Sequence, residues 1–199
     1  MAKKKIRKAE MVRKTRETRV KVKLVLDGAG ESRINTPIGF FNHLLAGFTK
    51  HGFFNLQVNA AGDTEIDEHH TMEDIGIVLG QALKKALGDR KGINRFGFAL
   101  VPMDEALAQA VVDISGRPYL VYQASIPKKK QWEFNVNLVE EFLRALVNNA
   151  GITLHLKLCY GSDYHHSLEA MFKALGRALG QAVAKNPRSR SIPSTKGQI

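Results

Sequence analysis

The chain has 199 residues, 44% apolar and 25% charged, which is enough to bury a sizeable core as one domain or two small intimate ones. No run approaches the roughly 18 consecutive apolar residues of a membrane helix, and the basic stretch 1–10 lacks the apolar segment of a secretory signal. The net charge of +11 invites a nucleic-acid reading, but residues 1–23 carry +9 and residues 185–199 carry +4, leaving −2 for 24–184. The basicity is therefore terminal, and no zinc-finger, helix-turn-helix or RNA-recognition pattern accompanies it, so nucleic acid is not the expected partner. The single Cys159 can form no internal disulfide, which fits a reducing, cytoplasmic compartment.

In chain order, Val20, Val22, Leu24 and Leu26 alternate with Arg19, Lys21 and Lys23, predicting a half-buried strand over 18–26 with a basic outer face. A turn at Asp27-Gly28 leads to an apolar helix over 38–50, a strand over 53–60, and a helix from the His69-His70 pair to Leu87, closed by Gly88. The second half reads as strands over 97–101, 109–115 and 119–126, a helix over 138–149, a strand over 152–158, and a helix from His166 to about residue 184. The tail 186–199 has two prolines and no periodicity, so it is either disordered or folded onto a site.

The chain also repeats itself. His69-His70-Thr71-Met72-Glu73 recurs as His165-His166-Ser167-Leu168-Glu169 at an offset of 96, and the apolar pattern of the following helix recurs with it. The expected fold is α+β: two tandem copies of a sheet-plus-helices unit, 1–93 with a basic N-terminal arm and 94–199 with a C-terminal tail, helices on one face of each sheet.

On a helix, the first His and the Glu of each motif share a face, as do the second His and the Glu, so imidazole and carboxylate can meet one cation. One such motif alone reads better as a polar helix N-terminus with a dipole-favoured acid. Recurrence at equivalent positions, using four of seven histidines, favours two metal sites. Adjacent histidines point about 100° apart, so the two imidazoles of one motif can serve different metals. His43 lies in an apolar helix, and Glu141 takes the matching place 98 residues on; both are competent ligands. His155 faces away from the apolar side of its strand and is either a supporting residue or simply exposed.

Several runs together resemble the imidazoleglycerol-phosphate dehydratase family. They are Phe41-Asn42-His43-Leu44-Leu45, Asp67-Glu68-His69-His70-Thr71-Met72-Glu73-Asp74, Val101-Pro102-Met103-Asp104-Glu105-Ala106-Leu107 and Asp113-Ile114-Ser115-Gly116-Arg117-Pro118. Gly151-Ile152-Thr153-Leu154-His155, the second His motif and Ile192-Pro193-Ser194-Thr195-Lys196-Gly197 complete the series, in order from about Arg13 to the end. The chain departs from the family pattern at Asn42, where Asp is commoner, at Gly47, often a substrate-contacting Gln, and at Glu141, a His in many members.

The resemblance implies a metal-dependent hydro-lyase that dehydrates imidazole glycerol phosphate to imidazole acetol phosphate in histidine biosynthesis. It implies two manganese ions per subunit, zinc or iron remaining open by ligand type, which would stabilise an imidazolate by Lewis acidity. The implied ligands are His43, His69, His70, Glu73, Glu141, His165, His166 and Glu169. Glu17 matches the acid/base, and His51, Arg95, Arg117, Ser194, Thr195 and Lys196 match substrate contacts. A large closed homo-oligomer of about 24 subunits, with metal sites completed between subunits, is implied as well. Two rival classes are a dinuclear metallohydrolase acting on a phosphate ester, which would release phosphate, and a basic nucleic-acid-binding protein, whose affinity would collapse with salt.

Overall fold

The alternation in the first half decides which side of its sheet turns inward. The structure, a computed structural model, describes residues 6–126 and 134–199. Val20, Val22 and Leu24 are buried, while Arg19, Lys21 and Lys23 stay on the outer side.

The first half runs β1 (Lys8–Lys14), β2 (Thr18–Val25), β3 (Glu31–Asn35), α1 (Gly39–Gly52), β4 (Asn55–Gly62) and α2 (His69–Leu87). The second runs β5 (Phe96–Met103), β6 (Ala106–Asp113), β7 (Tyr119–Gln123), α3 (Asn137–Ala150), β8 (Thr153–Tyr160) and α4 (Tyr164–Val183). The sheets have the orders β1-β2-β4-β3 and β5-β6-β8-β7, and in each only the last-named pair is parallel. Arg13 sits opposite Val20, and Val101 opposite Ala108, so the paired first strands recur after 88 residues. The expected α+β tandem of two sheet-plus-helices units is what the chain forms.

α1 and α2 cover the inner face of the first sheet, α3 and α4 that of the second, and the two helical layers meet as α1 on α4 and α2 on α3. Glycines permit the close approach. A Cβ on Gly76 would lie 2.5 Å from the Phe142 carbonyl oxygen, and one on Gly176 only 2.3 Å from that of Phe48. Gly80 against Leu146 and Gly180 against Gly52 continue the two contacts, so each helix pair runs parallel. Phe41 meets Phe142 and Phe172 ring to ring at 5.0 and 6.2 Å, which brings the starts of α1, α3 and α4 to one end of the sandwich. One continuous apolar core joins both halves.

Two strands escaped the sequence pattern. β1 lies within the segment read as a basic arm, and it is an edge strand that buries only Ala9 fully and Met11 partly. β3 is the opposite edge, with four of five residues exposed. With so few side chains buried, neither edge strand carries an apolar alternation to read. Phe53, placed by its apolarity at a strand start, instead ends α1 in a left-handed conformation with φ 56°. The strand expected over 109–115 begins earlier, at Ala106, and the one expected over 119–126 ends at Gln123. Residues 1–5 of the basic arm lie outside the described residues. Among the described residues, no helix is long and apolar enough to cross a membrane.

Candidate active site

Each His-His-x-x-Glu motif opens a helix. Asp163, just before α4, accepts the backbone N–H groups of His165 and His166 at 2.8 and 3.1 Å, and Asp67 accepts that of His69 at 3.0 Å. The Asp163 cap and the Asp67 contact satisfy first-turn donors and fix where the imidazoles start. One turn on, Glu169 Oε2 lies 3.1 Å from His165 Nε2 and 3.2 Å from His43 Nε2, brought across from α1. The donor atoms of His43, His165 and Glu169 all lie within 4.8 Å of one another. Two imidazoles and a carboxylate converging without a thiolate fit a divalent cation of intermediate hardness. Burial would raise the Glu169 carboxyl, but Lys173 at 2.8 Å and His43 hold it down to about 2, so it is an anion.

The second histidine of each motif turns to the end of a sheet. His70 Nδ1 lies 3.1 Å from Asp63 and 3.9 Å from Glu17; His166 Nδ1 lies 2.8 Å from Glu105, and His166 Nε2 3.6 Å from Asp104. The divergence expected of adjacent helical residues is therefore present. Glu17, Asp63 and His70 form a second group of donors within 4.8 Å. Both imidazoles are pushed above the ordinary histidine range, His70 first by its hydrogen bond to Asp63 and His166 by that to Glu105.

Asp63 and Lys173 were not among the residues singled out from sequence, and Asp104 and Glu105 entered only within a run that carries the family resemblance, with no role of their own. A signal existed for one of them: Glu105 is Glu17 shifted by the 88 residues that relate the paired strands. The two acids are held differently. Glu105 binds His166 and accepts the N–H groups of Asp163 and Ser162 at 2.7 and 3.1 Å, which holds it down to about 2. Glu17 has a side chain 56% exposed and approaches only His70 among the imidazoles.

The α2–α3 pair is looser. His69 Nε2 is 3.7 Å from Glu73, and neither belongs with Glu141 to a donor group closing within 4.8 Å among the described residues. Glu141 lines a hollow between α3 and β7 with Tyr122 and Asn137. His155 lies on the outer face of the second sheet beside Val111 and Val121, remote from the helix starts.

The expected phosphate contacts gather at the other end. The backbone N–H of Arg95 donates to the carbonyl of Ala182, in the last turn of α4. The Arg95 guanidinium binds Asp113 at 2.7 Å and donates to the Pro193 carbonyl at 2.9 Å, so the tail folds onto it. Gly92 N–H donates to Ser191, and Ile199 lies against Gly116 beside the exposed Arg117. Ser194 is half-buried on this tail, with Thr195 and Lys196 exposed. His51, two turns beyond His43 on α1, lines a cavity with Arg7, Arg177 and Lys185; burial, then Lys173 and Arg177, push its pKa down. Seventeen residues of α4 separate His165 from Ala182, or about 25 Å at 1.5 Å per residue. Within one chain the end with the His-His-x-x-Glu motifs and the tail end do not meet.

Asn42 has a local purpose: its amide donates to the Thr36 carbonyl at 3.0 Å and accepts the Thr36 hydroxyl at 2.6 Å, which an aspartate could only half reproduce. Gly47 leaves open space beside Lys173.

A family model described as imidazoleglycerol-phosphate dehydratase matches residues 36–179. Relatives bearing that name include one from Geobacter metallireducens, 57% identical over 97% of this chain and 99% of its own, and one from Bacillus subtilis, 54% identical over 98% and 100%. A crystal structure of the Staphylococcus aureus enzyme superimposes with a TM-score of 0.81 at 45% identity, covering 90% of this chain and 99% of that one. One from Pyrococcus furiosus, in complex with (S)-C348, gives 0.82 at 35% identity over 95% and 100%.

Proposed function

This chain belongs to the imidazoleglycerol-phosphate dehydratase family, and from that premise we propose how its own residues divide the work. The family activity is a hydro-lyase step of histidine biosynthesis. We assign two divalent cations per subunit, manganese by the mixed imidazole and carboxylate donors, held by His43, His69, His70, Glu73, Glu141, His165, His166 and Glu169. When bound, the cations supply Lewis acidity toward the substrate's imidazole.

The remaining steps belong to side chains. Glu17 moves the proton, because its carboxylate is exposed beside His70 whereas its counterpart Glu105 is committed to backbone donors. Arg117, Ser194, Thr195 and Lys196 bind the phosphate; Arg95 orders the tail that carries three of them. His51 contacts the substrate. Glu141, which closes no donor group with His69 and Glu73 among the described residues of one chain, takes its place as a ligand in the assembled site.

One observation carries the assembly: the metal end and the phosphate end lie about 25 Å apart along α4, farther than one small phosphorylated molecule reaches. Each site is therefore built from the metal end of one subunit and the tail end of another, within a closed homo-oligomer in the cytoplasm. The outer face of the second sheet supports self-association. It exposes Phe96, Phe98, Leu100 and Val111, where the first sheet carries Lys8, Glu10, Val12 and Lys23 at the matching positions.

Incubation with imidazole glycerol phosphate and manganese tests the reading. An enolisable ketone without released phosphate is expected; phosphate release would support a hydrolase. Elemental analysis of the loaded protein should approach two ions per subunit, and saturation at one would refute the paired sites.

A further inference from the structure

Asp74 directly follows the proposed ligand Glu73, in the first turns of α2, yet turns the other way. It is only 6% exposed. Its carboxylate accepts Arg13 Nε at 2.7 Å and, on the other oxygen, the Thr18 hydroxyl. Arg13 is the penultimate residue of β1 and Thr18 begins β2, so one buried acid grips both legs of the hairpin whose turn contains Glu17. The turn is closed from within: the Thr15 hydroxyl accepts the N–H groups of Glu17 and Thr18 at 3.1 and 2.9 Å.

The second unit shows that the fold does not need this grip. Val101, Ala106 and Ala170 stand at the positions equivalent to Arg13, Thr18 and Asp74, and all three are buried. Apolar side chains serve there, as expected where pairing a buried acid with a partly exposed arginine gives no advantage in stability over packed hydrocarbon. In that unit the hairpin carries Glu105, tethered directly by Ser162 and Asp163. In the first unit, among the described residues, no backbone N–H group donates to the Glu17 carboxylate, and the charged cluster lies beneath it instead.

We propose that Asp74, acting through Arg13 and Thr18, is a positioning residue that fixes the Glu17 hairpin against the start of α2, leaving the Glu17 carboxylate free to exchange a proton. This rests on the reading of Glu17 as the acid/base and extends it. The arrangement holds the backbone of an acid whose side chain cannot itself be tied down.

The test transplants the second unit's solution: Arg13→Val, Thr18→Ala and Asp74→Ala together, in the full chain. The triple variant should fold, load metal normally and keep KM within about threefold, while kcat falls about tenfold to a hundredfold, the scale of a slightly misplaced reacting group. In a Glu17→Gln background the same three changes should add almost nothing, because both act through one group. Thr18→Ala alone should lose part of kcat, and Thr18→Ser, which keeps the hydroxyl, should recover it. If Glu17→Gln lowers kcat but the triple variant and Thr18→Ala do not, Asp74 merely packs and the inference is overturned. If Glu17→Gln itself leaves kcat unchanged, the acid/base reading fails first. Should the triple variant fail to fold, Thr18→Ala against Thr18→Ser decides the matter.

Discussion

Glu169 concentrates the electrostatics of one helix start. Burial opposes its charge, Lys173 and His43 prevail, and the carboxyl sits at about 2 in the folded chain against 4.5 when free. A depressed folded value contributes stability that is present above 4.5 and lost as pH falls toward 2, and Glu105 adds to the same window. The metal-free protein should therefore lose thermal stability as pH falls across that range, and Glu169→Gln should flatten the slope. A slope untouched by Glu169→Gln would show that other carboxylates carry it. The metal-ligand assignment makes a separate prediction: His43→Ala should empty a site while His155→Ala, on the outer sheet face, should leave metal content unchanged by elemental analysis. His165 and Glu169 stood out in the sequence because their motif recurs, and His43 as a histidine in an apolar helix with Glu141 in the matching place; the structure brings the three together. Asp63 and Asp104 did not stand out, because they reach the second histidines from strand ends, and tertiary approach leaves no local spacing.

Helix contact is set by carbonyls meeting glycines. On α4, a Cβ at residue 176 would stand 2.3 Å from a backbone oxygen of α1, whereas on α1 a Cβ at residue 47 would meet nothing nearer than 3.9 Å. Gly176→Ala should lower stability by about 1–3 kcal/mol through overpacking. Gly47→Ala should raise it by about 0.5–1 kcal/mol, through helix propensity alone. Thermal melts of the two variants check this, and equal effects would contradict the packing described. The tail behaves as a separate element, ordered by Arg95 and the 92–95 backbone. Deleting residues 193–199 should spare fold and metal content but raise KM by one to two decades, since a charge-assisted contact contributes about 1.5–3 kcal/mol. An unchanged KM would mean that the tail binds nothing. The central strands and all four helices were legible from their periodicity. β1 and β3 were not, because an edge strand with little burial has no apolar side to betray it.

At the scale of the whole molecule, two copies of one unit share a single core, and their proposed ligand sets lie at the starts of helices while the tail and its arginine lie at α4's far end. Repetition made the architecture readable. The separation of the two ends was not readable, since it depends on the direction of α4 and on where the tail returns. The most direct test mixes two inactive variants, one lacking metal ligands through His165→Ala and Glu169→Ala, the other lacking residues 193–199 and carrying Arg117→Ala. Each alone should be inactive at ordinary substrate concentration. Dissociated and reassembled together, they should recover about a quarter of wild-type activity, because random mixing sets an intact metal end against an intact tail end in that share of contacts. Mixed assemblies that form but stay inactive would contradict a site built from two chains.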